Sequence, residues 1–215
     1  MDTTTPSSAG RILDAAAAIL IGDGVDALHY TTLAQRLAVE PDAVSAVYPV
    51  FEDLLAALLT RETNDLVRVV ADNVERDPHG GLPSRIFGYA LTAVYEHPLA
   101  RALYLTDPAG LNRIMRAVDG IAAVPDLTIH PGLLPALQDA GMARRDVDPH
   151  AITAVISVLG SGVAMSAPGQ LIDAVTEGLV TMLERGVDAD VADTTPGKLV
   201  FARYAEALAV GIPPR

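Results

Sequence analysis

The chain has 215 residues, half of them hydrophobic, 4% aromatic, and a formal net charge of −12. The absence of cysteine excludes disulfide frameworks, thiolate metal sites and cysteine nucleophiles. The acidic balance disfavours nonspecific binding to nucleic acid or anionic lipid unless a local basic patch overrides it.

The hydrophobic fraction is largely alanine, valine and leucine, a composition that favours packed helices over a β-sandwich. Met1 is followed by Asp2, three threonines and a proline, without the basic start of a signal peptide. The longest apolar run, residues 15–21, is far too short to cross a bilayer. The expectation is a cytoplasmic chain with no membrane partner.

In chain order, residues 1–9 read as a small polar, disordered tail. Residues 11–21 form a first helix with Ile12, Ala16, Ile19 and Leu20 on one face, capped by Ser7 or Ser8 and stopped by Gly22 and Gly24. "YTTLAQRLAV" offers Thr31 or Thr32 as the cap of a short second helix ending near Ala38. In "EPDAVSAVY", Glu40 takes the cap, Pro41 the first helical position and Asp42 the first turn. Pro49 ends that helix, and a long one follows from about 52 to 75, closed by "DPHGGLP".

Beyond Pro83 the pattern stays helical, at about 84–97, 99–106, 108–122, 132–142, 150–166, 169–185 and 197–210. No segment alternates with period two and no internal repeat is visible. The expected fold class is all-α.

Three short helices and a long one at the start of an all-helical chain resemble the TetR family of regulators. "RILDAAAAILIGDGVDAL" resembles that family's first helix and glycine turn, and "TTLAQRLAV" its second helix, T-x-x-x-I-A-x-x-A-G-V. "LQDAGMARRDVDPHAITAVISVLGSGVA" and "LIDAVTEGLVTMLERGV" resemble the two C-terminal helices through which such proteins dimerise. The resemblance covers nearly the whole chain. It implies a helix-turn-helix domain at 10–56 and a ligand-binding and dimerisation domain at 57–215. It also implies a homodimer formed by helices near 150–185, with Ala154, Gly160, Gly162 and Ala164 allowing close approach and Val158, Leu159, Leu179 and Met182 supplying apolar area.

The family's third and fourth helices run V-S-x-G-x-L-Y-x-H/Y-F-x-x-K-E-x-L. Aligned on that pattern, Val39, Val44, Tyr48, Leu54 and Leu55 keep core positions, and Glu52 keeps the glutamate. The positions that the resemblance assigns to DNA contact hold Glu40, Pro41, Asp42, Ser45, Val47 and Phe51, none with the usual chemistry. The competing reading is structural: Glu40, Pro41 and Asp42 start a helix well, and Val47 and Phe51 pack as core or as a staple on the fourth helix.

Phosphate contacts supply essentially all nonspecific affinity and often much of the specific part. The first sixty residues carry two basic side chains, Arg11 and Arg36, against eight acidic ones. A carboxylate about 4 Å from a phosphate costs roughly 1 kcal/mol in water and about 4 at a half-dry interface. The helix dipole returns only about 0.3–1 kcal/mol. Repulsion wins, so DNA is a disfavoured partner, and the face reads as an apolar, acid-rimmed surface for a protein partner.

Catalytic and metal chemistry find no pattern. His79, His97 and His130 sit in His-Gly or His-Pro turns, and neither they nor His29 and His150 show helical metal-site spacing. "GSG" at 160–162 lies inside a helix, without the strand of a nucleophile elbow or phosphate loop. No cofactor, metal or catalytic residue is assigned. The resemblance implies a cavity among the middle helices for a small hydrophobic ligand, for which Tyr89, Tyr95, Tyr104, Asn112 and Met115 are the candidates by position. The expected function is a ligand-sensing regulator whose DNA-binding surface is lost. Its rivals are a conventional repressor and an enzyme that reuses the cavity.

Overall fold

A computed structural model describes residues 8–118, 131–166 and 172–209. Eleven α-helices are formed among them: α1 (Ser8–Gly22), α2 (Tyr30–Leu37), α3 (Pro41–Ser45), α4 (Phe51–Arg76), α5 (Pro83–Glu96), α6 (Pro98–Arg101), α7 (Pro108–Ala117), α8 (Leu133–Asp139), α9 (Pro149–Ser166), α10 (Ile172–Gly186) and α11 (Thr195–Ala209). A wider-wound turn, Ala102–Thr106, continues α6. The described residues contain no strand, only an isolated bridge between Ala143 and Asp188. The all-α expectation holds.

Proline punctuates the fold: Pro41, Pro83 and Pro108 each occupy the first turn of a helix, where the missing N–H costs nothing. The caps correct two expectations. His29, not Thr31 or Thr32, caps α2, and the Thr32 hydroxyl lies 2.8 Å from His29 Nε2. Ser8 is already helical, and Ser7 lies outside the described residues. Glu40 stands at the cap of α3 with Pro41 behind it, as expected, but its side chain makes no capping hydrogen bond.

The chain divides into two compact units. The first comprises the described residues of Met1–Glu62 and Pro98–Val124, and the second those of Thr63–His97 and Pro125–Arg215. The expected boundary at 56/57 therefore differs from the observed grouping, because 98–118 pack with the N-terminal helices. Leu99, Leu103, Ile114 and Val118 join Ile12, Ile19, Leu33, Val44, Leu54 and Leu58 in one core.

The second unit is built around α5 and α10, with α8 packing on α9 and α11. Ile86, Leu134, Leu137, Leu183 and Phe201 are among its core residues. Two carboxylates brace α5. Asp77 accepts from Arg85 Nε (2.7 Å) and the Tyr89 hydroxyl (2.8 Å), and Asp188 accepts from the N–H and hydroxyl of Ser84. Gly81 and Gly197 allow the loop before α5 to touch the start of α11: a Cβ on Gly81 would lie 2.0 Å from the Thr194 carbonyl oxygen, and one on Gly197 2.0 Å from that of Gly81.

Candidate functional site

The helix-turn-helix face is built by α2, α3 and the start of α4. Val44 is fully buried on the inner side of α3, and Leu54 and Leu55 fix α4 in the same core. Tyr48 is half-buried against that core, and its carbonyl accepts the Tyr30 hydroxyl at 2.7 Å. Val39 corrects an expectation: placed in the core by pattern, it is 41% exposed. The reason lies in Ala38, whose left-handed backbone (φ 55°) ends α2 and turns the following residue outward.

Of the expected DNA-facing positions, Glu40, Pro41, Asp42 and Val47 are exposed. Two others are not outward residues. Phe51 is half-buried against the core and meets the Tyr30 ring edge-on, with centroids 5.3 Å apart. Ser45 is half-buried, and its hydroxyl donates to the Asp42 carbonyl at 3.2 Å. Phe51 therefore follows the packing alternative, because the edge-to-face contact with Tyr30 holds its ring inward.

The electrostatics of this face are negative. Burial, and after it the carboxylates of Glu52 and Asp53, push the Tyr30 phenol above its ordinary value. Arg36, on α2, holds Asp23 at 3.0 Å. Elsewhere in the unit Arg61 pairs with Asp14 and Glu62, and Arg113 with Asp26. The exposed pairs, Arg36–Asp23 and Arg113–Asp26, contribute about 0–1 kcal/mol to stability, but each aims a guanidinium at the chain's own carboxylate.

The ligand candidates divide between the units. Tyr89 and Tyr95 lie on α5 in the second unit. The Tyr89 hydroxyl is spent on Asp77, while burial raises the Tyr95 phenol above its ordinary value. Asn112 and Met115 lie on α7 in the first unit, Asn112 exposed and Met115 packed against that unit's core. The Tyr104 side chain lies outside the described residues. α7 thus turns Asn112 outward and packs Met115 against the core. The pattern missed Asn64 on α4, whose side-chain oxygen is buried with no hydrogen-bond partner among the described residues. Flanked by the charged Glu62 and Asp65, Asn64 carries no signal of burial in the sequence.

The expected dimer helices form, but Leu179 is buried in its own unit instead of facing a partner. Ala154, Val155, Val158 and Met182 are exposed. The surroundings of Gly160, Gly162 and Ala164 lie outside the described residues. No group of metal-ligating side chains is formed among the described residues, and no described helix is long and apolar enough to cross a membrane.

No protein-family model and no curated relative matches the chain. Solved structures do. A transcriptional regulator from Rhodococcus sp. Rha1 is 18% identical, with a TM-score of 0.55 over 86% of this chain and 100% of its own. The ketosteroid transcriptional regulator KstR2 of Mycobacterium tuberculosis is 16% identical, with a TM-score of 0.52 over 87% of this chain and 98% of its own. A structure from Shewanella sp. PV-4 assigned to the TetR family is 14% identical, with a TM-score of 0.50 over 94% of this chain and 98% of its own. Identities at this level speak for architecture alone. Helix order and these similarities together establish that the chain has the all-helical fold of the TetR-family transcription regulators.

Proposed function

We propose that this protein is a homodimeric, ligand-sensing regulator of the TetR fold whose helix-turn-helix no longer reads DNA. The observation that carries the reading is the composition of the exposed face. From Val39 to Val50 its exposed residues are apolar or acidic, and Arg36 on the neighbouring helix is engaged by Asp23. A cationic DNA binder gains affinity by releasing counterions from phosphates, and this face has few groups with which to do so. Sensing of a small hydrophobic ligand is supported by the similarity to KstR2, a ketosteroid regulator by name, and by the buried oxygen of Asn64. Dimerisation is supported by the exposed apolar residues of α9 and α10.

Fluorescence anisotropy with duplexes from the protein's own genomic neighbourhood, at low salt, tests the reading. Weak binding that Arg36→Ala leaves unchanged is the expected result. Submicromolar binding that weakens with salt and disappears in Arg36→Ala would establish a conventional repressor instead.

A further inference from the structure

Resting on the reading that this face has left DNA, we infer that it docks a cationic amphipathic segment of another protein. The contact surface consists of Val39, Val47 and Val50, which are 41%, 36% and 50% exposed, set among Glu40, Asp42, Glu52 and Asp53. Large aliphatic side chains left in water around one short helix are a surface with something to bury. Its framework is prepared for that use. Val44 is fully buried beneath α3, Tyr30 ties the chain at Tyr48, and Phe51 is wedged against Tyr30, so the valines are presented from fixed backbone.

Charge complementarity selects the occupant. Residues 38–55 contain four carboxylates and no lysine, arginine or histidine. A nucleic acid or an anionic bilayer meets repulsion there. A second copy of the same face brings the same carboxylates and is repelled as well. A helix or extended segment with an apolar stripe flanked by lysine or arginine satisfies both features. Its stripe covers the valines while its cations meet Glu40, Asp42, Glu52 and Asp53 at the rim, where opposite charges speed encounter and set orientation.

The test uses the full-length protein and a fluorescent helical peptide of leucine and lysine, with leucines on one face. Two controls accompany it: a serine–lysine peptide of equal charge and a leucine–glutamate peptide. Anisotropy should show saturable binding of the leucine–lysine peptide alone. The double variant Val47→Ser, Val50→Ser should weaken it about tenfold, and Glu40→Gln with Asp42→Asn should flatten its salt dependence. Val69→Ser, an exposed valine on α4, should leave it unchanged. All substituted side chains are exposed, and circular dichroism confirms that each variant folds.

Equal binding of the serine–lysine peptide, or indifference to Val47 and Val50, would reduce the effect to general attraction by an acidic chain and overturn the inference. So would no binding. Salt-sensitive, submicromolar DNA binding in the parallel assay overturns the prior reading instead, and the two failures have different readouts.

Discussion

The carboxylate of Asp188 accepts both the backbone N–H (3.0 Å) and the hydroxyl (2.5 Å) of Ser84, 104 residues earlier in the chain. Both residues are buried. Ser84 lies in the first turn of α5, where backbone donors have no partner inside the helix, and Asp188 supplies one from beyond α10. Asp188→Ala leaves two buried donors unpaired and is expected to cost about 1–3 kcal/mol. Urea unfolding measures the loss, and Ser84→Ala should cost less because the N–H bond survives.

The same carboxylate gives stability an unusual pH dependence. Burial pushes its pKa above the ordinary value, with Ser84 and Arg85 opposing and Glu184 adding to the rise. The folded state therefore holds the proton where the unfolded state, near about 3.9, has released it. The contribution of Asp188 is fully present below the unfolded value and is lost as pH rises through the folded one. Asp77 works in the opposite sense. Its burial alone would raise its pKa, but hydrogen bonds from His79 N–H, Arg85 and Tyr89 hold it low. Its contribution is present above the unfolded value and disappears as pH falls through the folded one. In a urea series, wild type minus Asp188→Asn should gain stability on mild acidification, and wild type minus Asp77→Asn should lose it in stronger acid.

Ala38 adopts φ 55°, ψ 47° at the end of α2, a conformation in which Cβ crowds the following carbonyl. Ala38→Gly is expected to stabilise the protein by about 1 kcal/mol, because the relieved strain exceeds the added freedom of the unfolded chain. A lower urea midpoint would contradict this account of the turn.

Gly81→Ala drives a methyl to 2.0 Å from the Thr194 carbonyl oxygen, a backbone atom that cannot swing aside. A loss of about 3 kcal/mol or more is expected. Gly178→Ala is the contrast, because a methyl there meets nothing within 4 Å. It should raise stability by up to about 1 kcal/mol through helix propensity. Thermal scans of the two variants should therefore move in opposite directions.

The proposed dimer makes its own demand. Val158 and Met182 are 72% and 62% exposed in the single chain. Light scattering at micromolar concentration should report twice the 22.4 kDa chain mass, and Val158→Glu with Met182→Glu should return it to 22.4 kDa. A wild-type monomer would dispose of the proposal.

The sequence by itself determined that the chain is helical and roughly where its helices run. Apolar residues at helical spacing, Pro41 at a first turn, and the absence of cationic residues from 38–55 are local facts, and each survives in the structure unchanged. Only the tertiary structure decided which side chains those helices turn inward. Val39 turned outward against expectation and Phe51 took the packing one of its two readings, since one left-handed residue at Ala38 and one ring contact with Tyr30 set their direction. Helical spacing likewise could not tell that residues 98–118 complete the N-terminal core, or that Asp188 closes the start of α5 across 104 residues. Periodicity fixes a face relative to its own helix axis, whereas burial depends on which distant helix arrives to cover that face.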